Sequence, residues 1–170
     1  MNRDDIVTAA LDVLDTWGFE FCSMRRVAGA LNVQPSALYH HVENKQTLLG
    51  LMAERIVAGV VPHAPEGARE VPPVKEDLVG TSHRLRDAML AVRDGAEVVA
   101  TASAFRLGLS ELEGDLAKQS SPDVARTLLI YVIGHTQATQ LHRQASALGA
   151  IQADPDLDPS FARGLAILLD

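Results

Sequence analysis

Apolar residues recur at three- and four-residue intervals along most of the chain, and this spacing predicts helices. Ile6, Ala9, Ala10, Val13, Leu14 and Trp17 form one stripe, on a helix ending at Gly18, with Phe19 and Phe21 just beyond. Ser23 can cap a second helix that turns Val27, Ala28 and Leu31 inward. Asn32 sits where a turn is needed and tolerates the left-handed conformation; Val33 plugs the corner. Gln34-Pro35 opens a third helix, because proline suits a first helical turn and holds Gln34 extended. Leu38 and Val42 anchor it. Asn44 can cap a fourth helix, which carries Lys45 in its first turn and Leu48, Leu49, Met52, Ile56 and Val60 on its apolar side.

Pro62, Pro65, Gly67, Pro72 and Pro73 then forbid a continuous helix and mark a domain junction. A helix is expected from about Pro73 to Arg93, with Leu78, Ser82, Leu85, Met89 and Val92 on one face and Asp94-Gly95 ending it. Ala96–Ala102 predicts one or two buried turns, and Phe105, Leu107 and Leu109 an irregular segment. Ser110 with Glu113 has capping-box spacing. Ser121-Pro122-Asp123 starts a long helix to about Leu148, and Asp158-Pro159-Ser160 a last one carrying Phe161, Leu165, Leu168 and Leu169. So apolar a helix needs a partner surface. Either it packs within its own domain, or it joins the long helix in a dimer bundle, which is the reading we adopt.

The stretch from Ser23 to Lys45 has the layout of a helix-turn-helix DNA reader. With Leu38 and Val42 inward, Gln34, Ala37, Tyr39, His40 and His41 fall largely outside. An exposed Tyr-His-His suits a helix presented to phosphates and base edges in a major groove. Lys45, beside the free N–H groups of the next helix, suits a phosphate.

These residues resemble the TetR family of bacterial transcriptional repressors. The resemblance rests on the Ile6–Trp17 stripe, Gly18, Ser23, Arg25, Val27, Ala28, Leu31, Val33 and above all the run LYHHVENKQTLL. Arg93-Asp94-Gly95-Ala96 and Val132-Ile133-Gly134-His135 are similar to segments of the tetracycline-repressor branch. The resemblance implies an all-α homodimer: a three-helix helix-turn-helix head (1–45), a connecting helix (46–61), and a C-terminal helical ligand-binding and dimerisation bundle (62–170). It implies base reading through Arg25, Ser36, Ala37, Tyr39, His40 and His41 on or beside the helix Gln34–His41. It implies phosphate holding through Ser23, Tyr39 and Lys45. In the tetracycline-repressor branch a histidine shortly after the Arg-Asp-Gly run binds the drug's magnesium ion; Val99 stands there, and valine cannot ligate a hard cation. Magnesium-tetracycline is therefore not the expected inducer.

A pocket lined by Leu85, Met89, Val92, Val99, Phe105, Leu129, Val132, Ile133 and Thr136 would be mostly apolar, with His63, His83, His135 and Gln137 as polar handles. The same residues could equally be ordinary core. No metal site or cofactor is expected. His135 and His142 stand two turns apart, roughly 10 Å along a helix, too far for one zinc ion with ligands at about 2 Å.

Charge qualifies the DNA reading. The 170 residues are 47% hydrophobic and carry a formal net charge of −7. That is no generic basic nucleic-acid binder, so operator binding must rest on a few placed cations and fall steeply with salt. No apolar run reaches membrane length, about 18 residues, and the acidic start at Asp4-Asp5 lacks a signal pattern. A soluble cytoplasmic protein is expected. Cys22, the single cysteine, suits a small packed residue better than a redox switch. Enzyme motifs are missing: no HExxH, no phosphate loop, no nucleophile elbow. An acid/base pair among Asp77, Asp87, Asp94 and Glu97 and a protein-binding helical adaptor are the alternatives to a repressor.

Overall fold

The computed structural model describes residues 1–61 and 74–170, and among them nine helices and no strand. The chain divides into two compact units. The first comprises Met1–Ala58 and Met89–Ser110, the second Gly59–Ala88 and Glu111–Asp170. His63 lies outside the described residues.

The first unit holds α1 (Arg3–Trp17), α2 (Met24–Ala30), α3 (Pro35–Tyr39), α4 (Lys45–Val57) and α6 (Gly95–Ala104). A capping box starts α1: Asn2 accepts from the Asp5 N–H, and the Asp5 carboxylate accepts from the Asn2 N–H. Ile6, Ala10 and Leu14 of this helix are fully buried, but Trp17 is half exposed. The stripe therefore stops one turn earlier than its spacing predicts, because the chain leaves the helix at Gly18 (φ +82°). Arg93 closes the end of α1 by donating to the carbonyls of Asp15 and Thr16, at 2.7 and 3.0 Å. Asp94 accepts from the N–H of Phe19 at 2.9 Å. The two Arg93 bonds satisfy carbonyls that a helix end leaves open.

Local chemistry sets α2 and α3 as expected. Ser23 accepts from the Arg26 N–H, and Asn32 takes the left-handed conformation (φ +54°). Proline stands at the first position of α3. The third helix is shorter than the predicted Gln34–His41: Gln34 is its extended N-cap and His40 its C-cap. Across the unit, α4 packs along α6. The closest approach is at Gly50, where Leu107 and Gly108 lie against the helix backbone.

α6 is ten residues long rather than a turn or two. Asp94 in the left-handed region (φ +53°) starts it, and Ala96, Val98, Val99 and Ala102 bury its apolar face.

The second unit holds most of α5 (Val74–Leu90) with α7 (Ser110–Gln119), α8 (Pro122–Ala147) and α9 (Leu157–Leu169). α5 ends before Arg93, so Val92 falls beyond the helix. Ser121 caps α8 by accepting from the Val124 N–H at 3.2 Å. Leu128, Leu129, Val132, Ile133, Thr136 and Thr139 line its buried side. Phe161 of α9 is the unit's largest fully buried side chain. Around its ring stand Tyr131 (5.7 Å), His83 and His135 (5.2 Å each). The Arg86 guanidinium lies 5.0 Å from the ring centre.

Candidate nucleic-acid interface

Burial separates the two sides of α2 and α3. Val27, Ala28, Leu38 and Val42 have no exposed surface, while Arg25, Gln34, Ser36, Tyr39 and His40 are exposed. Ala37, His41 and Lys45 are half-buried. Tyr39, at 52% exposure, is a large ring that the core does not need. The outward set thus combines a guanidinium, a hydroxyl, an amide, a phenol and an imidazole on one short segment, a mixture suited to base edges and phosphate oxygens. Ser23 is half-buried and its Oγ already accepts a backbone N–H, leaving its hydroxyl proton to donate.

Two contacts holding this segment were not legible in the spacing. Arg3 donates from Nε to the His41 carbonyl at 2.9 Å, tying the end of the reader helix to the start of α1. Lys45 places its ammonium 5.4 Å from the centre of the Phe19 ring. Cys22 is buried and 3.8 Å from the Ala10 carbonyl. Burial pushes its thiol up, against the pull of nearby Lys45. A thiol held protonated and enclosed is a packed residue, not a nucleophile.

The residues expected to line a ligand pocket divide between the units. Val99 is buried on α6 of the first unit and Phe105, just after that helix, is 57% exposed. In the second, Leu85, Leu129, Val132, Ile133 and Thr136 are buried. His83 is exposed and Gln137 half-buried. Met89, buried, and Val92, half-buried, belong to the first unit. The Thr136 hydroxyl donates to the Val132 carbonyl at 2.5 Å.

Two cavities open in the second unit. One of about 360 Å³ is lined by His142, Arg143, Ser146, Asp154, Leu157 and Asp158; one of about 160 Å³ by Val124, Thr127, Leu128, Leu168 and Leu169. Neither contains a residue that the sequence singled out for a ligand.

Polar chemistry in the second unit centres on the first turn of α9. Arg143 donates to both oxygens of Asp158 at 2.8 Å, and Arg86 pairs with the same carboxylate. These hydrogen bonds, Arg143 first, hold the Asp158 carboxyl below its usual range. Ser160 donates to the Leu157 carbonyl at 2.6 Å, so the contact with His135 at 2.8 Å takes its proton from Nε2 of the ring. A serine whose proton is committed to a carbonyl, beside a histidine that is itself donating, is no nucleophile–base pair. Burial, with Arg86 adding to it, lowers the His135 pKa. Among the described residues no three His, Cys, Asp or Glu side chains gather as metal ligands would, and no helix is long and apolar enough to cross a membrane.

Comparison with known proteins bears on the same segment. The family model for bacterial regulatory proteins of the tetR family matches residues 6–52. The tetracycline repressor protein class A from transposon 1721 of Escherichia coli is 37% identical over 102 residues, 58% of this chain. The chain covers 44% of that repressor's length. Among solved structures, Mycobacterium smegmatis BioQ superposes with a TM-score of 0.87 at 32% identity, over 100% of this chain and 96% of that one. BioQ in complex with its natural double-stranded DNA operator superposes at 0.81 with 31% identity, over the same shares.

Proposed function

The chain belongs to the TetR family of bacterial regulatory proteins, and from that premise we propose that it is a homodimeric transcriptional repressor. It binds a near-palindromic double-stranded operator and leaves it when a small, mostly apolar ligand binds. The observation that carries this reading is the one-sided α2–turn–α3 unit. Its core side is closed by Val27, Leu38 and Val42, and its free side offers Arg25, Gln34, Ser36, Ala37, Tyr39, His40 and His41. The BioQ–operator complex supports it by likeness of fold.

Residues 1–45 form the reader and 46–61 the connecting segment, whose helix ends at Val57 rather than at residue 61 because Ala58 leaves the helical conformation. The rest is the ligand-binding and dimerisation domain. Ser23, Tyr39 and Lys45 hold phosphates, and α3 enters the major groove. In a two-fold dimer the two α3 helices meet successive grooves roughly 34–36 Å apart. The dimer face is the outward side of α8 and α9. Ile130, Gly134, Ala138 and Leu141 recur along α8 at helical spacing and are exposed, as is Ile167 on α9. The ligand acts by binding more tightly to the form whose heads are wrongly spaced for DNA. No cofactor, metal or catalytic group is needed, and the site of action is the cytoplasm. Neither an acid/base pair nor adaptor activity finds support in a specific contact.

The test is selection of duplexes from a random pool by the wild-type protein and by Tyr39→Ala. Wild type should enrich an inverted repeat, and Tyr39→Ala should bind the enriched duplex more weakly while sedimenting as the same dimer. Enrichment of no sequence, or equal binding by both proteins, would overturn the proposal.

A further inference from the structure

The head has an anomaly that the family reading leaves unexplained: three aromatic residues crowd one corner, and two of them are half exposed. Trp17 ends α1, and Phe19 and Phe21 follow in the turn before α2. Trp17 and Phe21 each keep 52% of their surface in solvent. Both rings face one cation. The Arg26 guanidinium carbon lies 4.6 Å from the centre of Trp17 and 5.5 Å from that of Phe21. The ring between them in sequence, Phe19, holds the Lys45 ammonium at 5.4 Å. Rings 17, 19 and 21 thus clamp one cation from the first turn of α2 and one from the first turn of α4. Lys45 also lies close enough to Cys22, next to the α2 cap, to pull on its thiol.

Neither cation is neutralised. Among the described residues no carboxylate pairs with Arg26 or Lys45, whereas Arg55, Arg84, Arg86, Arg126, Arg143 and Arg163 all have acidic partners. A guanidinium lying over a ring keeps its edge N–H donors free, and the rings restrict its rotamers before any partner arrives. Less entropy is then lost on binding. In a chain of net charge −7, such fixed and unpaired cations are the natural source of backbone affinity.

We propose that Arg26, held by Trp17 and Phe21, is a preformed contact to the DNA backbone phosphate, working beside Lys45. This inference rests on the DNA-binding reading above. Arg25 reads the groove and Arg26, one residue on, grips the strand; Trp17 and Phe21 are positioning residues that touch no DNA.

The experiment uses the duplex that wild-type protein selects from a random pool, with affinity measured from 50 to 300 mM salt. Each phosphate contact contributes about 0.9 to the slope of log affinity against log salt. Arg26→Ala should lower that slope by about two for a dimer, and affinity by on the order of tenfold per head at 0.1 M salt. Arg26→Gln, which keeps the stem over the rings, should lose as much. Trp17→Ala should weaken binding several-fold with the slope kept, since the charge stays but its position loosens. Arg126→Ala, which removes the same charge from the other unit, serves as the net-charge control. Wild-type slope and affinity in Arg26→Gln, or an equal slope loss in Arg126→Ala, would overturn the proposal. A wild-type protein that selects no duplex would instead overturn the DNA-binding reading. A thermal melt of each variant identifies any loss that comes from unfolding.

Discussion

Three glycines share nearly one φ and differ in the space around them, which singles out the contact that seats α4. Gly108 (φ +74°) and Gly149 (φ +71°) both lie in the left-handed region. A side chain there costs about 1–2 kcal/mol in strain, partly offset by about 0.4–1 kcal/mol from a stiffer unfolded chain. At Gly149 a methyl group on the Cα would meet nothing within 4 Å, so Gly149→Ala should cost about 1 kcal/mol. At Gly108 the same methyl would lie 3.0 Å from the carbonyl carbon of Gly50 and 3.1 Å from its Cα, and closer still to the carbonyl oxygen. These are backbone atoms of α4 and cannot swing aside as a flexible side chain does. Overpacking of this kind adds about 1–3 kcal/mol. Gly108→Ala should therefore cost about 2–4 kcal/mol, a melting-temperature drop of roughly 5–15 °C for a chain this size. Gly59→Ala, at φ +76° with open space around it, is the second reference. Differential scanning calorimetry of the three variants measures the difference directly. If Gly108→Ala costs no more than the two references, the loop 107–108 is not seated on Gly50, and the account of the first unit is wrong.

Stability should fall as pH drops below about 6.5, where an unperturbed histidine protonates. Burial lowers the His135 pKa in the folded protein, so the unfolded chain takes up the proton first and is favoured. Urea melts between pH 8 and 5 should show the fall, and His135→Gln should reduce it; an unchanged profile in that variant would refute the assignment. The Asp158 contribution, with a folded pKa lowered by Arg143 and Arg86, should be lost only below about pH 4. Magnesium-tetracycline should leave the protein–operator complex intact in a gel-shift titration, because buried Val99 offers no ligand atom; release at micromolar drug would contradict this. Ile130→Asp combined with Ile167→Asp should shift the protein to monomer in sedimentation velocity without lowering its helix content, since both side chains are exposed in the isolated chain; an unchanged sedimentation coefficient would remove α8 and α9 from the dimer face.

Helix starts were the most legible part of this chain. Ser23, Asn44 and Ser121 each cap the helix expected of them, and Asn32 takes the turn conformation that only a few residue types tolerate. Capping is local chemistry, so the sequence displays it directly. Helix ends were less legible. Trp17 satisfies the stripe spacing, but periodicity cannot show that Gly18 turns the chain before the stripe closes. Apolar spacing also failed to distinguish a short buried turn from the ten residues of α6. Contacts between distant segments left no pattern at all. Arg3 on the His41 carbonyl and Arg93 on the end of α1 join residues 38 and 78 positions apart. The ligand residues mark a further limit. Inward spacing identified Leu85, Val132 and Thr136 as buried, but the same spacing describes solid core and pocket wall alike.

The most direct test of the central claim is fluorescence anisotropy with a labelled duplex from just upstream of the gene, competed with scrambled duplex at two salt concentrations. A sequence-reading head predicts binding that survives excess scrambled DNA and weakens steeply as salt rises. Equal affinity for both duplexes, or no binding to any upstream or selected sequence, would contradict it.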